Sequence, residues 1–177
     1  MRLGSAILSV GVCLTPIVTP GWAKTSEDRI AVADPGSRCP ALAGYQIPSS
    51  AFGLPTGNAV ITQADLIHQR GIIGSYCRLK GQIAAANSAD PAIGFQVNLP
   101  TEWNQKTVQY GGGGTNGFVV KGTGYFAGGG KNVPPALSRG YVTYGSDSGH
   151  QGQGLEFIAN ATAFENSSPR SQNSMRA

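Results

Sequence analysis

The chain has 177 residues, 26 of them Gly, and 13 Lys and Arg against 9 Asp and Glu give a net charge of +4. Hydrophobic residues make up 40%, which excludes the low-hydrophobicity, high-charge composition of a disordered chain, and the length suits one domain or a piece of one. The basic residues are scattered singly without interleaved aromatics, which excludes the clustered basic face of a nucleic-acid-binding protein.

In chain order, Met1 and Arg2 give a short positive start, Ala6 to Val18 is apolar, and Gly21-Trp22-Ala23 supplies small residues before Lys24. That is the pattern of a secretory signal peptide, residues 1–23, cleaved after Ala23 to give a secreted or periplasmic protein. Pro16 and Pro20 interrupt the stretch, and it falls short of the ~20 apolar residues that span a bilayer, so no membrane anchor is expected. A lipoprotein role for Cys13 is disfavoured by bulky Val12 before it. Removing residues 1–23 leaves Cys39 and Cys77, which in an oxidising compartment pair as one disulfide. Neither sits in a Cys-x-x-Cys pair, and the only histidines are His68 and His150, so no metal site is expected.

Residues 24–38 are polar and read as an irregular arm, with ordered structure from Cys39. Thr62 or Gln63 through Gln69 predicts a short helix ended by Gly71, although Ile72 and Ile73 also suit a strand. From Tyr76 to Ile83 polar and apolar residues alternate with period two, which predicts a half-buried strand. Ile93 to Leu99 predicts a second, stopped by Pro100, with hairpin turn chemistry at 87–91. Thr107 to Tyr110 is a third, leading into Gly111-Gly112-Gly113-Gly114-Thr115-Asn116-Gly117. A second glycine run, 128–130, follows. Pro134 to Arg139 predicts a short helix with Gly140 at its end, and Tyr141 to Tyr144 a fourth, central strand running into Gly145-Ser146-Asp147-Ser148-Gly149-His150. Residues 166–177 lack apolar periodicity and read as a disordered tail. Strand hairpin, strand, glycine turn, helix, strand and polar turn together predict an α/β sheet with ligand chemistry at the strand ends.

Consecutive glycines after a strand leave backbone N–H groups that no Cβ shields, and such a turn holds an anion. Gly112-x-Gly114-x-x-Gly117 matches dinucleotide spacing, but no acidic residue between Glu102 and Asp147 is available for the ribose. Gly130-Lys131 fails as a Walker loop, being followed by Asn132. An oxyanion hole for acyl transfer instead needs a strand, a glycine turn with free donors, a helix and another strand, which this order supplies. A tight turn with no ligand uses the same residues, and spacing alone does not separate the two. Ser148, Asp147 and His150 lie too close in sequence for a triad, and neither Ser146 nor Ser148 sits in Gly-x-Ser-x-Gly. They read as support for the glycine turn or as pocket lining.

Five ordered strings resemble the tannase and feruloyl esterase family of secreted α/β hydrolases, which takes in hydrolases of mono(2-hydroxyethyl) terephthalate. They are Cys39-Pro40-Ala41-Leu42, residues 76–83, residues 95–104 (Phe95-Gln96-Val97-Asn98-Leu99-Pro100-Thr101-Glu102-Trp103-Asn104), residues 109–117 and residues 139–150. The resemblance runs from Cys39 to Asn160. It implies a serine carboxylic-ester hydrolase acting on small esters of aromatic acids such as gallate or ferulate, with Gly112 or Gly113 donating an oxyanion-hole N–H and Cys39–Cys77 matching the family's N-terminal disulfide. The family's nucleophile lies in a Cys-Ser-x-Gly-Gly motif, followed by the triad Asp, a His-Cys pair and a calcium-binding lid. None of these strings occurs in the 177 residues. The expectation is therefore a partial α/β-hydrolase domain, residues 39–165, truncated before the nucleophile elbow: no nucleophile, metal or cofactor in the chain, and no turnover by it alone. The alternative expectation is a small secreted module that binds aromatic esters or acids without converting them.

Overall fold

The structure is a computed structural model that describes residues 30–31, 33–113, 116–125, 130, 132–152 and 154–165. Residues 1–23, read from sequence as a signal peptide, and residues 166–177 lie outside the described residues. In chain order the elements are β1 (Ile30–Ala31), α1 (Pro35–Arg38), β2 (Gln46–Ile47), β3 (Ala59–Ile67), β4 (Tyr76–Ile83), β5 (Ile93–Pro100), β6 (Glu102–Trp103), β7 (Thr107–Gln109), β8 (Val142–Ser146) and α2 (Ala161–Glu165), with single 3-10 turns between them. The main sheet has the order β2-β3-β4-β5-β8-β7. All its pairs are antiparallel except β7 with β8. The described residues thus form a mixed β-sheet with few, short helices.

The alternation read in β4 and β5 sets the register. Cys77, Leu79, Gly81 and Ile83 lie directly opposite Leu99, Val97, Phe95 and Ile93, so one face of the hairpin is apolar along its length. Two adjoining clusters build the core on that face. One holds Cys39, Ile61, Cys77 and Leu79; the other holds Ala59, Ile83, Ile93 and Phe95. Gly81 is required there, because a Cβ would collide with the Phe95 ring and with the Val60 carbonyl. Cys39 and Cys77 form the expected disulfide, with Cα atoms 5.6 Å apart, and it fastens the segment after α1 to the middle of the sheet.

Two local expectations, both of helices, are corrected. The helix expected from Thr62 or Gln63 to Gln69 is instead most of β3, a nine-residue strand. A bulge between Ile61 and Gln63 shifts its register against β4, so the inward residues run Ala59, Ile61, Ala64 and Leu66. The extra residue breaks the period of two. Within the stretch read as an irregular arm, β1 pairs with β6 and Asp34 caps α1 by accepting from the Ser37 N–H. Farther along, the helix expected at Pro134 to Arg139 is reduced to a 3-10 turn, Leu137–Arg139, ended by Gly140 at φ 81°.

The opposite face of the sheet is polar and still buried. Gln96 is 5% exposed, Asn98 and Thr143 are fully buried, and the three are linked. Asn98 Nδ2 donates to Thr143 Oγ1 (2.9 Å) and to the Lys121 carbonyl (2.7 Å), and Gln96 Nε2 donates to Asn98 Oδ1 (2.9 Å) and to the same carbonyl (3.1 Å). This seam lashes the segment after the glycine run across β5 and β8, which fixes where that run emerges.

Candidate functional site

β7 and β8 run parallel, so their C-terminal ends lie side by side and each ends in one of the two turns singled out in the sequence. Thr107, Val108 and Gln109 pair with Val142, Thr143 and Tyr144, and the Tyr110 N–H continues the ladder to the Tyr144 carbonyl at 2.8 Å. Gly111, Gly112 and Gly113 follow, all exposed. Their N–H groups donate to no described residue. A Cβ on Gly113 would meet nothing within 4 Å, whereas one on Gly112 would overlap Asn116 Oδ1.

The turn after β8 is tightly bonded. Asp147 is 3% exposed, and its carboxylate accepts from the Gly94 N–H (3.1 Å to each oxygen), the Gly149 N–H (2.9 Å) and Gln151 Nε2 (2.7 Å). Its own N–H donates to the Gly94 carbonyl at 3.1 Å. The side chain therefore closes the β5–β8 pair beyond its last rung. Ser148 adopts φ 63°, and its Oγ accepts from Asn116 Nδ2 at 2.8 Å. His150 is 4% exposed and stacks on Phe157, with ring centroids 4.0 Å apart and planes at 18°. Neither of its ring nitrogens has a hydrogen-bond partner among the described residues. Ser148, Asp147 and His150 thus make no Ser–His or His–Asp hydrogen bond, and the relay that activates a serine is not assembled among them.

Asn116 joins the two turns. Its Nδ2 donates to the Ser146 carbonyl (3.0 Å) and to Ser148 Oγ, and its own N–H donates to the Gly113 carbonyl (3.1 Å). The structure thus brings Gly112, Gly113, Asp147, Ser148 and His150 to one end of the parallel pair, linked through a residue that sequence reasoning passed over. Its signal was the Asn-Gly pair closing the glycine run, a pair that favours left-handed turns.

A cavity of about 550 Å³ opens on the polar face of the sheet beside the β8 turn. Lys80, Gln82, Gly94, Gln96, Lys121 and Asp147 are among the residues lining it. Gly94 forms part of its floor, and a Cβ there would press on Asp147 Oδ2 and Val119. Among the described residues, no group of three His, Cys, Asp or Glu could hold a metal ion, and no helix is long and apolar enough to cross a membrane.

The family model described as tannase and feruloyl esterase matches residues 77–176, past Asn160, where the resemblance read from sequence ends, and through most of the segment 166–177 read as a tail. Among curated proteins, the chain is 47% identical over 116 residues to an uncharacterized esterase of Agrobacterium fabrum, covering 64% of this chain and 21% of that protein. It is 37% identical over 78 residues to the mono(2-hydroxyethyl) terephthalate hydrolase of Piscinibacter sakaiensis, covering 42% of this chain and 13% of that protein. The chain therefore spans about a fifth or less of the curated relatives it matches. Among solved structures, feruloyl esterase B from Aspergillus oryzae is similar with a TM-score of 0.40 at 22% identity, over 70% of this chain and 20% of that one.

Proposed function

The chain belongs to the tannase and feruloyl esterase family, and from that premise we propose that it supplies the oxyanion-stabilising part of a secreted serine carboxylic-ester hydrolase acting on esters of aromatic acids such as gallate or ferulate. The observation that carries the proposal is the glycine turn at the C-terminal end of β7. Three successive amides there have no acceptor among the described residues, and at Gly113 a ligand can approach the bare backbone. When a serine hydroxyl attacks the ester carbonyl, the carbonyl oxygen takes on negative charge. N–H donors already fixed about 2.7–3.1 Å from that position stabilise the charge without reorganising. Gly112 and Gly113 are assigned that task, and Asp147, Ser148 and His150 support the turn beside it.

The nucleophile, its base and the lid come from polypeptide other than these 177 residues, which contain no Cys-Ser-x-Gly-Gly string. The α/β-hydrolase fold is assigned to that whole protein, with the β2-to-β7 sheet as its amino-terminal part. Secretion is part of the proposal, supported by the leader-like residues 1–23 and by the disulfide, which persists in oxidising compartments.

Two assays test the proposal. The purified chain is expected to show no turnover of methyl gallate, methyl ferulate or 4-nitrophenyl acetate. A chimera carrying residues 39–165 in place of the matching segment of the Agrobacterium fabrum relative is expected to hydrolyse at least one of them. A folded but inactive chimera would contradict the proposal. Turnover by the chain alone would overturn the placement of the chemistry: lost with Ser148→Ala, it would make Ser148 the nucleophile, and retained, it would place the nucleophile elsewhere.

A further inference from the structure

We infer that Asn116 is a positioning residue that holds the glycine turn in its ligand-ready form; the inference takes its functional meaning from the oxyanion proposal but stands on geometry of its own. Glycine is required at position 112 for a reason outside its own backbone. Gly112 does not have positive φ, so its conformation is open to other residues. What forbids a side chain there is Asn116, whose Oδ1 occupies the space a Cβ would fill. At position 116 the logic reverses. The backbone sits at φ 56°, where glycine is the least strained residue, yet a side chain is kept, 8% exposed. Its Nδ2 is bonded to the Ser146 carbonyl and to Ser148 Oγ, and its buried Oδ1 has no hydrogen-bond partner among the described residues. The carboxamide is therefore a wedge, with its nitrogen end anchored to the close of β8 and its oxygen end pressed against Gly112.

Gly113 differs from both. It has neither positive φ nor a neighbour within 4 Å of a Cβ, so nothing described in this chain demands glycine there. Close approach by the oxyanion proposed above would. The clamp on one side and the open space on the other define a turn whose amides are ordered before a ligand arrives. A run of free glycines would otherwise lose much backbone entropy on binding.

The test uses the full 15N-labelled chain, with backbone relaxation measured at Gly112 and Gly113 and inorganic phosphate titrated as the anion probe. In the wild type both amides are expected at order parameters near the rigid value of about 0.85, with phosphate-dependent shifts. In Asn116→Gly, which the left-handed backbone accepts, they are expected to fall below about 0.6, and apparent phosphate affinity to weaken at least roughly fivefold, the share of one lost hydrogen bond. Ser148→Ala removes one of the two anchors and is expected to give a smaller change at the same amides, which keeps the test open if Asn116→Gly does not fold. Unchanged order parameters in the folded variants, even with a lowered melting temperature, would overturn the inference and leave Asn116 a structural residue. If order falls as expected but the wild-type amides ignore phosphate, the clamp stands and the oxyanion proposal is what fails.

Discussion

Asn98→Leu removes the hub of the polar seam while nearly conserving volume. Asn98 is fully buried and makes three hydrogen bonds, to Gln96, Lys121 and Thr143, at 2.7–2.9 Å. Each contributes about 1 kcal/mol net. Gln96 Nε2 keeps its bond to the Lys121 carbonyl, so those two groups remain paired and Thr143 Oγ1 is the one left without its donor. The added apolar surface of Leu offsets part of the loss, and the expected cost is about 2 kcal/mol. Thr143→Val takes away a single acceptor while Asn98 keeps its bond to Lys121, and is expected to cost about 1 kcal/mol. Urea unfolding with unchanged slope measures both. A cost below about 0.5 kcal/mol for Asn98→Leu, or a more stable protein, would refute the claim that this seam holds the post-glycine segment to the sheet.

Removing the Cys39–Cys77 bond by Cys39→Ser frees a loop with a sequence separation of 38. Chain entropy gives a loss of about 3–4 kcal/mol, readable as a lower urea midpoint that reductant reproduces in the wild type. Gly140→Ala places a Cβ 2.7 Å from the Glu102 carbonyl at φ 81° and is expected to cost about 2–3 kcal/mol by combining left-handed strain with a backbone clash. Gly112→Ala is expected to cost about 1–3 kcal/mol through overlap with Asn116. The double variant Gly112→Ala/Asn116→Gly regains most of that loss, and a thermodynamic cycle yielding additive costs would contradict the contact.

How far the sequence could be read depended on whether a residue's partners were near it. β4 and β5 were legible because the alternation from Tyr76 to Ile83 and from Ile93 to Leu99 is set within each strand, and β7 and β8 because each short run ends at a glycine turn. β3 was misread because the bulge near Thr62 shifts its phase, so Ile61 and Ala64 stand three apart, a helical spacing. β1 and β6, two residues each, are too short to carry a period. The turn residues Gly112, Gly113, Asp147, Ser148 and His150 were found as a cluster of chemistry-bearing types. Their wiring was not, because Asp147 is held by Gly94, 53 residues away, and Ser148 by Asn116, 32 residues away. Gln96 and Asn98 read as the wet side of a half-buried strand, and only the segment folded over them makes them interior.

Replacing one backbone N–H with an ester oxygen isolates the amide itself. In the active chimera, glycolic acid in place of Gly112 or Gly113 removes one donor and leaves every side chain untouched. At the position that faces the developing oxyanion, kcat is expected to fall about 10²–10³-fold while KM stays within about threefold. Full kcat with both replacements, each made singly, would contradict the assignment of the glycine turn to transition-state stabilisation.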